Sequence, residues 1–522
     1  MLSLVPSLVA ASDIVRLDSG LVSSALRLPD GVRIFKGIPF AAPPVGNLRW
    51  RSPQPPAHWS GVRKADKFGP ECMQPYYSMS TPFGRGTREE MSENCLYLNV
   101  WTPANAAHQR LPVMVWIYGG GFYERSSSLP LTNGHALARM GVVVVSFNYR
   151  LGVFGFFAYP QLTTSAGTET SGDYGLLDMI AALKGVHKHL AAFGGNPKRV
   201  TIFGESAGSL AVSYLMASPL AKGLFQRAIG ESGSALTGPL VPLTLAGAEQ
   251  QAREFAQFAG ARSLVDLRAI PPEQMCKLSE AFVRKNGGLL ATFWPYIDGS
   301  FLPAAPYNIF AKGKQHNVPL LVGSNADDGQ VALQLYPICP PQAFVEQARR
   351  RFGSQAGAYL KLYPANSEQQ ATRSEVASLT DWFFAAPMRD WVQLQTETGK
   401  AKAYLYLFSH GPPVPAASYH GAFHGAFHAA EVFYVFDSMN LHPNWAWTEA
   451  DRRLSRTMMS YWVNFARMGN PNGRGLPHWP AYNEKDQEVM DLGTRIEARQ
   501  EPDRRRLDWW VAWFAKQRSE AP

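Results

Sequence analysis

The sequence predicts an α/β protein with a mostly parallel central sheet flanked by helices. Three observations carry that expectation. Short apolar runs rich in β-branched residues recur along the chain, and helical stretches alternate with them between residues 110 and 210. No Gly/Ser-rich or Pro-rich linker divides the 522 residues. A strand inside a parallel sheet is covered on both faces, so it reads as a continuous apolar run and not as an alternating one.

The runs fall in a clear order. Val113–Tyr118 comes first and stops at Gly119-Gly120-Gly121. Val142–Phe147 is next and is rich in valine. Leu176–Phe193 has a helical pattern, and Val200–Phe203 is the strand after it. Leu320–Val322 and Ala403–Phe408 continue the series. Residues 235–315 and 335–400 are more helical and less regular, as expected of insertions that roof an active site. The expected organisation is one domain over residues 13–518, with residues 1–12 in front of it.

Composition narrows the function classes. Hydrophobic residues make up 46% and charged residues 17%, a globular balance. No apolar run approaches the roughly 18 residues that span a bilayer. The formal charge of +9 is dispersed. Its densest block, Arg504-Arg505-Arg506, lies beside Asp503 and Asp508 and reads as a solvated helix face, so no nucleic-acid partner is expected. Met1–Ala11 is apolar, with Val9 and Ala11 placed as at a signal-peptidase site, but it lacks a basic leading region. It reads as a signal remnant or a disordered tail, and a secreted or periplasmic location is the expectation.

The chain has four cysteines. The stretch between Cys72 and Cys95 is rich in Gly, Ser, Pro and charge and reads as a loop closed by a disulfide. Three pairings of four cysteines remain open, Cys276 with Cys339 among them. No pair has C-x-x-C spacing, so zinc and thioredoxin-like readings lack support.

The sharpest local feature is Gly204-Glu205-Ser206-Ala207-Gly208, placed between the strand Val200–Phe203 and a helical run at Ser209–Met216. A nucleophile elbow of the α/β-hydrolase fold needs that order. Its serine sits on a strained strand-to-helix turn, and the flanking glycines let backbone and neighbours close in. The pentapeptide alone is common, and the plainer reading is a tight surface turn; the strand before it and the helix after it carry the inference. Upstream, Gly119-Gly120-Gly121-Phe122 ends another strand. Such a glycine run can offer backbone N–H groups to an oxyanion, with Gly120, Gly121 and Ala207 as the donors. Its plainer reading is a flexible loop.

With these pieces in place the sequence resembles the type-B carboxylesterases, which include cholinesterases and bacterial para-nitrobenzyl esterases. The resemblance runs from about Gly31 to Phe514. It rests on Phe35-Lys36-Gly37-Ile38-Pro39-Phe40-Ala41 and on Ser92-Glu93-Asn94-Cys95-Leu96-Tyr97-Leu98-Asn99-Val100-Trp101. Gly172-Asp173-Tyr174-Gly175-Leu176-Leu177-Asp178, Ala192-Phe193-Gly194-Gly195-Asn196-Pro197 and Tyr461-Trp462-Val463-Asn464-Phe465-Ala466 complete it.

The resemblance implies an α/β-hydrolase fold and hydrolysis of carboxylic esters by a Ser-His-Asp triad, without metal or cofactor. It places the acid at Asp328, within Gly323–Gly329, where the family usually has Glu; Asp327 is the competitor. It places the histidine in the tandem repeat His420–Glu431. The spacing from His428 to Glu431 and Tyr434-Val435-Phe436 matches the family, whereas His424 has the glycine that usually follows the family's histidine. Spacing decides for His428. Three histidines four residues apart could also form a metal stripe on a helix, but two intervening glycines weaken a helix there.

The resemblance further implies a supporting serine at Ser232, a Cys72–Cys95 bridge, and structural ion pairs Arg49–Glu93 and Arg150–Asp178. Glu205, Phe122, Leu289, Ala291 and Val331 are the expected pocket residues. Cholinesterases have an aromatic cation-binding residue where this chain has Arg85, and another aromatic at Val331. Small-molecule esters with short-to-medium or bulky acyl groups are therefore expected, not choline esters. The alternatives are a lipase acting on longer chains or a non-catalytic relative like the family's adhesion proteins, which have lost the nucleophile.

Overall fold

The computed structural model describes residues 14–24, 26–75, 83, 90–165, 172–286, 288, 292–416, 418 and 423–520. Residues 1–12, Arg85, Leu289, Ala291 and His420 lie outside the described residues. The centre of the fold is an 11-stranded mixed sheet. In chain order its strands are β1 (Leu26–Arg27), β2 (Arg33–Pro39), β3 (Tyr97–Thr102), β4 (Leu111–Ile117), β5 (Val143–Phe147) and β6 (Gly195–Glu205). These are followed by β7 (Arg227–Glu231), β8 (Leu320–Asn325), β9 (Ala403–Phe408), β10 (Glu488–Leu492) and β11 (Ile496–Gln500). Across the sheet the order is β1-β2-β3-β5-β4-β6-β7-β8-β9-β10-β11.

The six pairings from β5–β4 through β9–β10 are parallel, and those toward both edges are antiparallel. The valine-rich runs become β4 and β5 because β-branched side chains fit a pleated surface covered on both faces. Every residue from Val143 to Phe147 is buried. The expected strand at Ala403–Phe408 has the same bounds in the structure.

Helices α1 (Tyr174–His189), α2 (Ala207–Ala217), α3 (Glu449–Met468) and α4 (Arg504–Glu520) pack among the sheet and the insertions. A Thr448–Asp451 capping box opens α3, and Gly469 in the left-handed region closes it. The first irregular region forms helices at Leu245–Phe258, Leu264–Ala269 and Pro272–Lys285. The second forms Pro341–Phe352, Ala356–Leu362, Glu368–Thr380 and Ala386–Thr398, the last two joined by a π-helical turn at Asp381–Ala385. The Arg504–Arg506 run starts α4, where Arg506 pairs with buried Asp381 and with Asp503.

Candidate active site

The strand β6 ends at Glu205 and α2 begins at Ala207, so Ser206 is the whole turn between them. Its backbone holds φ 57° and ψ −123°, a strained conformation for a residue with a side chain. The flanking glycines have a direct steric reason. A Cβ on Gly204 would stand 2.6 Å from the Ile117 carbonyl oxygen, and one on Gly208 would stand 2.0 Å from the same atom. The Ser206 N–H donates to the Glu231 carbonyl at 2.8 Å, tying the turn to β7. Ala207 N–H belongs to the first turn of α2, whose amides have no partner within the helix.

Asp328 follows β8 and is fully buried. Its Oδ2 accepts from Ser232 Oγ at 2.8 Å and from the Asn325 N–H at 2.7 Å. Its Oδ1 lies 2.8 Å from His428 Nδ1. The adjacent Asp327 plays a different part. Its Oδ2 accepts from the Ala426 N–H at 2.8 Å, and its own N–H donates to the Ala426 carbonyl at 3.0 Å. One acid touches the imidazole, and its neighbour fastens the loop that carries it.

His428 is buried, whereas His424 is exposed. The described part of the repeat, residues 423–430, is turn and irregular chain with no helix linking His424 to His428. Ala429 adopts φ 66°, the backbone conformation that a glycine after the histidine would hold without strain. Phe384, on the π-helical turn, lies 4.7 Å from the His428 ring, centroid to centroid. His428 Nε2 stands 3.1 Å from Glu205 Oε1, though Glu205 Oε1 is not aligned for a hydrogen bond. Burial alone would lower the His428 pKa; the charge of Glu205 and the hydrogen bond and charge of Asp328 outweigh it and hold the value above that of an ordinary imidazole. Burial raises the Glu205 pKa, while His428 and Arg125 act to lower it.

The glycine run lies beside the serine. A Cβ on Gly119 would come within 2.9 Å of Ser206 Cβ and 2.6 Å of the Glu205 carbonyl oxygen, so only glycine allows this approach. Gly120 and Gly121 follow at φ 95° and 62°, and the Gly120 carbonyl accepts from Tyr123 and Glu124 N–H. Phe122 is fully buried and packs on Tyr149, Phe156, Tyr214 and Trp294, so it backs the loop. Val331 is 41% exposed on the 3-10 turn after Asp328.

Sequence reasoning missed several buried polar groups behind the site. Asn325 Nδ2 donates to the Phe427 carbonyl at 2.8 Å and also to Glu431. Glu431 is held well above the carboxylate range by burial and by the charges of Glu205, Glu231 and Asp328. Burial pushes Glu231 up to about 8, even though Trp462 Nε1 donates to its Oε1 at 2.9 Å. Asn325 has no local sequence signature; its role appears only when β8 meets the histidine loop.

Cys72 and Cys95 form a disulfide, and Cys276 and Cys339 are free. Two buried bidentate pairs brace the surroundings. Arg49 binds Glu93 with both contacts at 2.6 Å, and Arg150 binds Asp178 at 2.8 and 2.7 Å. Among the described residues no helix is long and apolar enough to cross a membrane.

A mixed sheet flanked by helices, with a strained serine between β6 and α2, defines an α/β hydrolase. The chain belongs to the carboxylesterase family, a family of serine esterases, whose model matches residues 12–510. The fumonisin B1 esterase of Sphingopyxis macrogoltabida is 35% identical over 479 residues, covering 89% of this chain and 84% of that protein. The para-nitrobenzyl esterase of Bacillus subtilis is 35% identical over 484 residues, covering 91% and 94%. A solved para-nitrobenzyl esterase structure superposes with a TM-score of 0.80 at 34% identity, covering 95% of this chain and all of that one.

Proposed function

We propose that this chain cleaves carboxylic esters through an acyl-enzyme on Ser206. The observation that carries the reading is the Asp328–His428 hydrogen bond of 2.8 Å, formed next to a strained serine on a nucleophile elbow. Ser206 Oγ attacks the ester carbonyl and passes its proton to His428 Nε2. Asp328 keeps Nδ1 protonated and stabilises the imidazolium. Gly120, Gly121 and Ala207 N–H groups take the oxyanion, each donor contributing about 3–4 kcal/mol. The alcohol leaves with the proton from His428, and water repeats the sequence to release the acid.

Among the described residues Ser206 Oγ makes no hydrogen bond, and Nε2 faces Glu205 instead. Catalytic contacts of this kind commonly tighten only when substrate binds. No step requires a metal or cofactor. Ser232 and Asn325 position Asp328, and Asp327 positions the histidine loop.

Short-to-medium or bulky acyl esters fit better than choline esters, because Val331 stands where cholinesterases have an aromatic residue. The disulfide supports an exported protein. The test measures para-nitrophenyl butyrate hydrolysis, together with covalent labelling by a fluorophosphonate mapped by mass spectrometry. The expected result is a label on Ser206 and near-complete loss of turnover in folded Ser206→Ala. Turnover that survives Ser206→Ala, or a label elsewhere, would overturn the reading.

A further inference from the structure

Arg125 is an unusual residue in an unusual place. It lies five positions beyond Gly120 and holds φ 84°, a left-handed backbone angle that favours glycine. Such strain persists where the surroundings enforce it, and it concentrates at functional sites. The backbone is clamped from both sides: its N–H donates to Gln74 Oε1 at 2.8 Å, and its carbonyl accepts from Gln74 Nε2 at 3.1 Å.

The side chain lies between Gly120 and Phe83. Its Cγ is 3.0 Å from the point where a Cβ on Gly120 would stand. Its guanidinium lies 4.7 Å from the centroid of the Phe83 ring. Phe83 in turn packs on Phe423 and Phe427, the latter directly before His428. The buried cations near the site, Arg49 and Arg150, are neutralised by carboxylates. Arg125 is only partly buried and forms no ion pair with any described carboxylate. Its charge nonetheless reaches the reacting groups, opposing protonation of both His428 and Glu205. Glu124, the adjacent acid, feels the same charge, but burial raises its pKa.

We propose that Arg125 is a specificity-determining residue that receives the carboxylate of an anionic ester, so that the preferred substrates are half-esters of dicarboxylic acids or esters of carboxylate-bearing alcohols. A guanidinium with unused donors matches a carboxylate in geometry and charge. The Phe83 ring holds its plane without consuming those donors. The proposal rests on the Ser206 esterase reading and goes beyond it by naming a substrate class.

The test compares kcat/KM for neutral para-nitrophenyl butyrate with two anionic probes. Mono-para-nitrophenyl glutarate carries its carboxylate on the acyl side, and 4-butanoyloxybenzoate carries it on the alcohol side. Wild type, Arg125→Gln and Arg125→Lys are assayed at low and high salt, with folding checked by circular dichroism. Wild type is expected to prefer at least one anionic probe relative to the same ester with its carboxylate methylated. That preference should fall about tenfold in Arg125→Gln, mainly through KM, and partly recover in Arg125→Lys.

High salt should erode the wild-type preference, a readout that holds even if a variant fails to fold. A wild-type enzyme that turns over the neutral ester without any anionic preference overturns this proposal and leaves the esterase reading standing. A preference that Arg125→Gln does not change also overturns it. Failure to hydrolyse all probes would sink the esterase reading and the proposal together.

Discussion

His428 Nε2 lies 3.1 Å from Glu205 Oε1, so the imidazole in this structure is held between two carboxylates, Glu205 and Asp328. Both favour the imidazolium, the Asp328 contact through a hydrogen bond and Glu205 through its charge. The imidazole proposed to accept the Ser206 proton is therefore poised above the usual value.

A pH profile tests that relationship. Catalysis needs His428 neutral, so kcat/KM should rise with pH and its acid-side midpoint should lie above the ordinary imidazole value of about 6.5. Removing the Glu205 charge in Glu205→Gln takes away a cause that raises the pKa, and the midpoint should move to lower pH. A midpoint that stays put or moves up would contradict this assignment.

The histidine repeat gives a sharper contrast. His428→Ala should reduce kcat by about 1000-fold or more, and Asp328→Asn should approach that loss, because triad members act as a unit. His424 is exposed and should tolerate Ala with most activity kept. Steady-state kinetics on para-nitrophenyl butyrate decides; an inactive His424→Ala with an active His428→Ala would move the base to the other histidine.

Ala429 carries strain that can be relieved. Glycine at φ 66° has no Cβ penalty, so Ala429→Gly should raise stability by about 1 kcal/mol, less a few tenths for added unfolded-state entropy. Urea denaturation measures it, and a loss of stability would show that the Ala429 methyl makes contacts that outweigh the strain.

Glu231 links pH to stability. Its folded pKa of about 8 stands above the ordinary 4.5, so between those values the unfolded chain releases a proton that the folded protein keeps. Stability from this group is full below about 4.5 and declines as pH rises towards 8. Glu231→Gln keeps an acceptor for Trp462 and should flatten that decline. Thermal melts of both proteins at pH 5 and pH 8 test it; an equal decline in both would assign the effect to other groups.

The Cys72–Cys95 bridge closes a loop of 23 positions, which in the chain-entropy view stabilises the fold by about 3 kcal/mol. Cys72→Ser with Cys95→Ser, and reduction of wild type, should lower stability by about that amount. Denaturation with and without reductant reads it, and no change would mean that the reduced loop stays ordered.

Much of this molecule was legible in its sequence. The buried parallel strands announced themselves as unbroken apolar runs, because both their faces must be covered. The elbow announced itself through glycines, because Gly204 and Gly208 stand where a Cβ would strike the Ile117 carbonyl. Local sterics and hydrophobic burial leave marks on neighbouring residues, and those marks can be read in one dimension. Spacing to the short helix Val432–Val435 also pointed to His428, the histidine whose ring lies 2.8 Å from Asp328.

Only the tertiary structure decided what depends on residues distant in the chain. It separated the contacts of Asp327 and Asp328, brought Asn325 to Glu431 and the histidine loop, and set Phe384 against the imidazole through a π-helical turn. It also placed Arg125 between Gly120 and the Phe83 ring. Side-chain electrostatics and hydrogen bonds depend on separations of a few ångströms, which strand order and loop packing create and no local pattern records.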